Sequence, residues 1–322
     1  MNNSNYSDRE NLLAGFFGKK YGKFLYSGTL AVETALIAGG VGKGDYVLIP
    51  NYVCYRVLLS TVRLGAIPII VSPANGYTLT ANDIAPVIEK YTVKVAVLVH
   101  HLGLPVDIGS IKKICHHGTV IIEDASQAWD IVSTGNKLGT ESDYVVTSFG
   151  ISKPLSLGIG GAIFGDDQNF LKLIDNYTSK SRVSEKALLP YGLPESFNIN
   201  VENLIKTGNK IVSHQREIAK ILSQGLEGTK WEFWQVKNGD NPTWHRFPMW
   251  TDDLEQFDKI IEQADIQGIK YEKPHRITLD KTPMAGESVV VVDNLGKKYY
   301  HMLVKTRSNL LINIKKWIKT IE

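Results

Sequence analysis

The sequence has 322 residues, of which 43% are hydrophobic and 21% charged, and its formal net charge is +3. This composition is ordinary for a globular protein, and so small a charge gives no reason to propose nucleic acid or a membrane as a partner. No apolar run approaches the roughly 20 residues that span a bilayer, and the polar start of the chain predicts no secretory signal. Cys54 and Cys115 form neither a metal-type spacing nor a disulfide framework. We therefore expect a cytoplasmic protein.

The N-terminal part of the chain alternates short apolar strands with helices. Residues 2–10 are polar and are expected to be loosely held, before a helix over 11–17. Further helices are predicted from Thr29 to Ala38 and over 80–90 and 107–116, and strands over 46–50, 67–71, 93–99, 120–122 and 144–147. This alternation predicts an α/β fold, with a mostly parallel central sheet and helices on both of its faces.

A strand-like run that starts at Phe24 is followed by a polar turn, Ser27-Gly28-Thr29, which leads into the predicted helix that ends at Ala38. Such a turn can cap the helix, and the N–H groups and positive dipole end of a helix N-terminus suit a phosphate. An ordinary cap without a ligand is the alternative for an isolated motif of this length.

Charged and polar residues suited to catalysis or binding follow two of the predicted strands in the sequence. Glu123 and Asp124 end one strand, Ser148 and Lys153 follow the next, and a glycine-rich turn comes at 158–161. In open α/β sheets, ligands bind just beyond the carboxyl ends of the strands. A carboxylate there can hold a cationic ring nitrogen, and a lysine there can form an imine with an aldehyde.

The C-terminal part lacks this parallel-sheet rhythm. Helices are predicted over 167–177, 198–226, 254–264 and 308–321, and a strand over 289–292. We predict a large α/β domain over residues 1–200 and a smaller α+β domain over 201–322. The paired histidines at 100–101 and 116–117 do not favour a metal site, because adjacent side chains point in different directions.

Two motifs in the large domain resemble a known family. The segments EDASQ at 123–127 and SFGISK at 148–153, followed by Gly160-Gly161, resemble the EDAxQ, SFxxxK and GG pattern of the DegT/DnrJ/EryC1/StrS sugar aminotransferases. The resemblance extends from about Tyr26 to about Arg216 and fades beyond. It implies the type I fold of transferases that depend on pyridoxal 5'-phosphate (PLP), which is the fold of aspartate aminotransferase.

The resemblance also implies a role for each matching residue. Lys153 would carry the cofactor as a Schiff base and move protons, and Asp124 would pair with the ring nitrogen. Gln127 would bind the ring oxygen. Ser126 would pack under the ring, and Ser148 would bind phosphate beside the Ser27-Gly28-Thr29 turn.

The chain departs from the family pattern at several positions. Cys54 stands where an aromatic residue usually stacks on the ring, so Tyr52 or Tyr55 would have to supply one. A histidine of the family is replaced by Gly150. Asn198 matches a residue that reaches the phosphate of the neighbouring subunit, or it caps a helix, and an arginine two positions later is replaced. The family also starts some tens of residues earlier.

The resemblance implies a homodimer with a shared active site. This enzyme would move an amino group, with glutamate as the expected donor, to a keto group on a nucleotide-linked sugar or a related molecule. Lys153 argues against the branch of the family that has histidine there and removes a hydroxyl. The alternative is a non-catalytic PLP-binding paralogue. A Rossmann-type nucleotide enzyme is set aside, because no GxGxxG follows the first strand.

Overall fold

The computed structural model describes residues 4–183, 199–272, 290–292, 300–306 and 311–320. The helices are α1 (Ser4–Phe16), α2 (Gly28–Ala38), α3 (Tyr55–Arg63), α4 (Ala81–Lys90), α5 (Ile108–Ile114), α6 (Asn169–Val183), α7 (Val201–Leu226), α8 (Leu254–Ile266) and α9 (Leu311–Ile318). The strands are β1 (Tyr21–Leu25), β2 (Tyr46–Pro50), β3 (Ile67–Val71), β4 (Val93–Val99), β5 (Val120–Asp124), β6 (Val132–Ser133), β7 (Asn136–Lys137), β8 (Tyr144–Ser148), β9 (Gly161–Gly165), β10 (Glu232–Phe233), β11 (Phe247–Thr251), β12 (Tyr271–Glu272), β13 (Val290–Val292) and β14 (Tyr300–Val304).

A large sheet of eight described strands, in the order β1-β9-β8-β5-β4-β2-β3-β13, forms the centre of the fold. The pairs from β13 through β8 are parallel, and β9 runs antiparallel to both β8 and β1. The predicted α/β fold with a mostly parallel sheet is confirmed.

Both faces of this sheet are buried. In β2, Val47 and Ile49 belong to one apolar cluster, which includes Leu36 of α2. Leu48, between them, belongs to a second cluster with Ile84 of α4. Successive side chains of a strand point to opposite faces, so these apolar runs bury helices on each side.

The parallel arrangement gathers the carboxyl ends of β2, β4, β5 and β8 at one edge of the sheet. The polar residues that follow these strands in the sequence therefore come together there, as the position of the motifs predicts.

A second sheet, β10-β11-β14-β12, is antiparallel in every described pair. A separate core that includes Trp231, Phe247 and Trp317 lies against it, with α7 and α9 contributing side chains. The predicted boundary does not separate the two sheets cleanly, because β13 comes after residue 200 in the sequence and yet pairs with β3 of the large sheet. The boundary at residue 200 stays a prediction, supported by the start of α7 at Val201.

The start of the chain is more ordered than its composition indicates. The expectation of a loose segment over 2–10 is wrong for its described part, since α1 begins at Ser4. Glu10 is 9% exposed, and its Oε1 accepts a 2.7 Å hydrogen bond from the backbone N–H of Phe24 in β1. This tertiary contact holds a polar segment that has little helical patterning of its own. Among the described residues, no helix is both long enough and apolar enough to cross a membrane.

Candidate active site

A cavity of about 280 Å³ opens at the edge where these strands end. Most of the predicted site residues line it: Gly28, Thr29, Tyr52, Cys54, Asp124, Ser126, Gln127, Ser148 and Lys153. Ser27 lies beside it as the N-cap of α2. Asn198 lies outside the described residues, and α7 is capped instead by Asn200, whose side chain accepts from the N–H of Asn203 at 2.8 Å. Residues far apart in the sequence thus meet around a single space.

The start of α2 forms a tight anion cradle. Ser27 Oγ accepts a 3.3 Å hydrogen bond from the N–H of Leu30, as the sequence predicts for a cap. The N–H groups of Gly28 and Thr29 have no acceptor within the helix, because the first turn of a helix never supplies one. A Cβ atom on Gly28 would lie 2.6 Å from Cβ of Ser148. The absence of that atom leaves the backbone N–H groups and the Ser148 hydroxyl around one small space.

The glycine turn after Lys153 explains how α2 and β8 come so close. Gly160 has φ +106°, a conformation that favours glycine, and its N–H donates to the carbonyl of Tyr26 at 2.9 Å. A Cβ on Gly161 would lie 2.5 Å from the backbone N of Gly28. The turn therefore requires glycine at both positions if the cradle is to form.

Asp124 ends β5 as a buried carboxylate, only 5% exposed. Its Oδ1 accepts a 2.8 Å hydrogen bond from the N–H of Ser126, which orients the group toward the cavity that both residues line. A carboxylate in such a place suits a cationic ring N–H, since burial favours charges that are paired.

Lys153 lies in the turn after β8. Its backbone N–H donates to the carbonyl of Gly150 at 3.0 Å, and its half-buried side chain lines the cavity. The tight turn carries the amine back toward the cradle and the acid, which is the arrangement that an imine-forming lysine needs.

Gln127 is held in a defined orientation. Its Oε1 accepts a 2.7 Å hydrogen bond from the N–H of Leu102, whose φ of +59° is unusual for a leucine. Because the oxygen of the amide is occupied, its NH₂ group remains as the donor for a ligand. The bond to a ring oxygen of the cofactor stays a prediction, for which this donor is available.

Of the two tyrosines that could supply an aromatic ring, the structure places one in the cavity wall. Tyr52 lines the cavity and is half-buried, and its ring centroid lies 5.6 Å from that of His101. Tyr55 is 43% exposed, and its recorded ring contact is with the guanidinium of Arg56. Cys54 lines the cavity with an exposed thiol. Tyr52 is therefore the better candidate for packing against a cofactor ring.

Sequence reasoning missed a buried network behind the site. His100 and Glu123 are 0% and 2% exposed, and His100 Nε2 lies 2.7 Å from Glu123 Oε1. Because His100 Nδ1 accepts from the N–H of Val106, Nε2 carries the hydrogen and donates to Glu123. Glu123 Oε2 accepts from the N–H of Gly139 and the hydroxyl of Ser142, both at 2.8 Å. This network fixes the residue directly before Asp124.

His101 was also missed as a site residue, because the sequence shows it only as half of a histidine pair. It lines the cavity beside Tyr52. Its pKa is lowered from 6.5 to about 4, chiefly by burial and to a smaller extent by the charge of Lys153. His101 is therefore a neutral imidazole at neutral pH.

This shifted pKa predicts a loss of stability in acid. Between pH 6.5 and 4 the unfolded chain binds a proton at His101 that the folded chain does not, so acidification favours unfolding. We expect a loss of up to about 3 kcal/mol across this window and none above it, an upper bound because the ring is only half-buried. Urea unfolding of the wild type and His101→Asn at a series of pH values measures it. Identical pH dependence in the two proteins would contradict the prediction.

The close packing at Gly28 predicts that one added methyl group lowers both stability and phosphate binding. In Gly28→Ala the added Cβ collides with Ser148, so we expect a loss of about 1–3 kcal/mol in stability and weaker binding of phosphate-bearing ligands. Gly15→Ala on α1 is the matched control, since its Cβ would meet nothing within 4 Å. Thermal unfolding and cofactor titration compare the two. Equal behaviour of both variants would show that the close approach does not matter.

These groups fit one cofactor. PLP needs a phosphate anchor, an acid for its ring nitrogen, a lysine for its aldehyde and a packed ring, and the cavity offers each within one space. The space without a Cβ at Gly28 is the observation that supports the phosphate anchor most directly. Fold and site together define a PLP-dependent transferase of the type I fold.

The profile of the DegT/DnrJ/EryC1/StrS aminotransferase family matches residues 4–289, so the chain belongs to this family. It is 24% identical over 97% of its length to GDP-perosamine synthase of Vibrio cholerae, 86% of which is covered. It is 27% identical over 81% of its length to dTDP-3-amino-3,4,6-trideoxy-alpha-D-glucose transaminase of Streptomyces venezuelae, 70% of which is covered. The structure of S. venezuelae DesV in complex with a ketimine intermediate superposes with a TM-score of 0.81 at 22% identity, covering 98% of this chain and 87% of DesV. The resemblance seen in the motifs is confirmed, and the chain is a PLP-dependent aminotransferase.

Proposed function

We propose that the protein transfers an amino group, with glutamate as donor, to a keto group on a nucleotide-linked sugar. The relatives named above are a GDP-perosamine synthase and a dTDP-amino-sugar transaminase, which supports this acceptor class. The observation that carries the proposal is one cavity of about 280 Å³ lined by Lys153, Asp124 and the cradle at Gly28.

Each site residue has a task in this reaction. When bound, PLP supplies an aldehyde and an electron sink. Lys153 would hold the cofactor through Nζ and would give and accept protons at that atom. Asp124 accepts the hydrogen bond of the ring N–H and keeps that proton in place. Gln127 donates its NH₂ group to the ring oxygen, which leaves the ring oriented for proton transfer by Lys153.

The remaining walls bind and orient the cofactor. The N–H groups of Gly28 and Thr29, with the hydroxyl of Ser148, bind the phosphate, and Ser27 holds the first turn of α2 in shape. Ser126 packs below the ring, and Tyr52 covers it. Cys54 leaves more room here than an aromatic residue would, because its side chain is short and exposed.

The enzyme acts as a homodimer with a shared site in the cytoplasm. Ile151, two positions before Lys153, is 83% exposed, and Tyr55, next in the chain to the cavity-lining Cys54, is 43% exposed. Large exposed apolar side chains close in sequence to site residues support an interface, because a second subunit would remove them from water. Asn198, which would reach across to the partner's phosphate, belongs to the proposal by its motif alone.

The absorbance of the bound cofactor tests the function directly. Adding L-glutamate to the holoenzyme should bleach the visible band, and a keto sugar linked to dTDP, GDP or UDP should restore it with formation of an amino sugar detectable by mass spectrometry. Alanine and glutamine are the comparison donors. Cofactor binding with an unchanged spectrum for every donor would instead identify a non-catalytic PLP-binding paralogue.

A further inference from the structure

The cavity has a second set of polar residues that the cofactor assignment leaves unused. Asn51 lies in the connection between β2 and α3, and Arg56 lies in the first turn of α3. Both line the same cavity as Lys153. They flank Tyr52 in the sequence and belong to a different part of the fold from α2 and β8, which carry the residues assigned to the phosphate of the cofactor. A ligand that contacts these two residues would therefore share the cavity with the cofactor.

Arg56 differs from other arginines of the described chain. Arg63, Arg216 and Arg246 each pair with a carboxylate, at 3.5, 3.1 and 3.2 Å. Arg56 is exposed and pairs with no carboxylate among the described residues, and its guanidinium lies 5.5 Å from the ring centroid of Tyr55. An arginine that lines a cavity in this way presents its planar fork of N–H donors to a ligand.

The helix that carries Arg56 adds to the positive potential. Cys54 is the N-cap of α3, and its side chain makes no capping hydrogen bond. The N–H of Val57 donates to the carbonyl of Cys54 at 2.9 Å, but no side-chain acceptor covers the first turn, and Arg56 itself lies in this turn, at the positive end of the helix dipole. Both features favour an anion at this wall.

Asn51 is the independent sign that this wall receives a ligand. It is 7% exposed, and its Nδ2 donates to Ser72 Oγ at 2.7 Å. Its Oδ1 is buried and has no hydrogen-bond partner among the described residues. Buried acceptors are normally satisfied, so an unpaired one in a cavity wall indicates a donor that arrives with a bound molecule.

We infer that Arg56 is a specificity-determining residue that binds an anionic group of the substrate, a carboxylate or a phosphate, while Asn51 accepts a hydrogen bond from the same molecule. The inference rests on the proposed function, because both substrates of that reaction have this chemistry. An amino-acid donor has a carboxylate and an ammonium group, and a nucleotide-linked sugar has phosphates and hydroxyls. The bidentate geometry of a guanidinium suits either anion.

Equilibrium binding to the holoenzyme tests this without requiring turnover. Calorimetry would use glutarate as an inert carboxylate probe and dTDP, GDP and UDP as phosphate probes, with the wild type, Arg56→Gln and Arg56→Lys. We expect Arg56→Gln to weaken one or both classes of probe by about 10- to 100-fold, and Arg56→Lys by less, because lysine keeps the charge and loses the fork. Cofactor absorbance should be the same in all three.

Lys90→Gln is the matched control. Lys90 is an exposed cation at the end of α4 whose Nζ lies 5.2 Å from the ring centroid of Tyr91, so its loss removes the same charge and the same kind of ring contact far from the cavity wall. Its affinity for every probe should stay within about twofold of the wild type.

The outcomes separate the two sources of the anion. A loss of glutarate binding alone assigns Arg56 to the amino donor, a loss of nucleotide binding alone assigns it to the acceptor, and a loss of both indicates a shared subsite. Affinities of Arg56→Gln that match those of Lys90→Gln, or a wild type that binds neither probe, would overturn the inference. A wild type that binds a probe through Arg56 but does not react with glutamate would reject the proposed function and leave the anion site standing.

Discussion

Replacing Lys153 with alanine should abolish transamination and the covalent attachment of PLP. The substitution removes the amine proposed to hold the cofactor and to act as the base at the reacting carbon, so we expect the rate with glutamate to fall by at least about 10²- to 10⁴-fold. Single-turnover absorbance measurements give the rate. Borohydride reduction followed by peptide mass spectrometry shows whether the cofactor is attached at residue 153.

Lys153→Arg is the matched variant, because it keeps a long cationic side chain and cannot act as a base at neutral pH. It should retain the fold and lose the reaction to the same extent as alanine. An alanine variant that keeps more than about a tenth of the wild-type rate, well above the loss expected for a catalytic base, would reject the assignment of this residue.

Replacing Glu123 with alanine should produce the largest loss of stability. The carboxylate accepts from His100, Gly139 and Ser142 inside the protein, so its removal leaves three buried donors without a partner. We expect about 3–5 kcal/mol in total, because each buried donor left without an acceptor costs about 1–3 kcal/mol and partial rearrangement relieves some of this. Chemical unfolding measures it. Cofactor affinity should fall in parallel, because Asp124 is the next residue along the strand.

Two control variants test whether the loss of stability comes from the buried hydrogen bonds of Glu123. Glu123→Gln keeps the shape and an acceptor for one donor, and should lose less than alanine. Glu89→Ala changes an exposed glutamate on α4 and should stay within about 0.5 kcal/mol of the wild type. A Glu123→Ala protein that unfolds within about 1 kcal/mol of the wild type would mean that the network contributes little, since exposed pairs are worth no more than that.

Local signals in the sequence were enough for the fold class and for predicting residues that the structure brings to one cavity. The apolar runs at β2 to β5 are buried on both faces, so their pattern alone specifies a parallel sheet. The residues Asp124, Ser148 and Lys153 could be found because each follows such a strand directly, and strand ends of a parallel sheet converge. Ser27 could be found because a cap is a local preference of the residue.

Other features depend on contacts between distant parts of the chain. The sequence leaves Tyr52 and Tyr55 as equal candidates for the aromatic ring, and only the path of the chain into α3 turns the first into the cavity. The start of α1 depends on Glu10 reaching β1, a contact that its own segment does not reveal. His101 is a site residue only because the turn at Leu102, with its unusual φ, leaves the imidazole beside Lys153.

By itself, therefore, the sequence determined the class of fold, the family and the residues that fit the cofactor, because these follow from strand periodicity and from motifs with short spacing. The tertiary structure alone decided which further side chains share that cavity. Arg56 and Asn51 carry no motif and no helical or strand period that marks them as functional. Their position at the wall results from packing α3 against the sheet, which depends on side chains throughout the large domain.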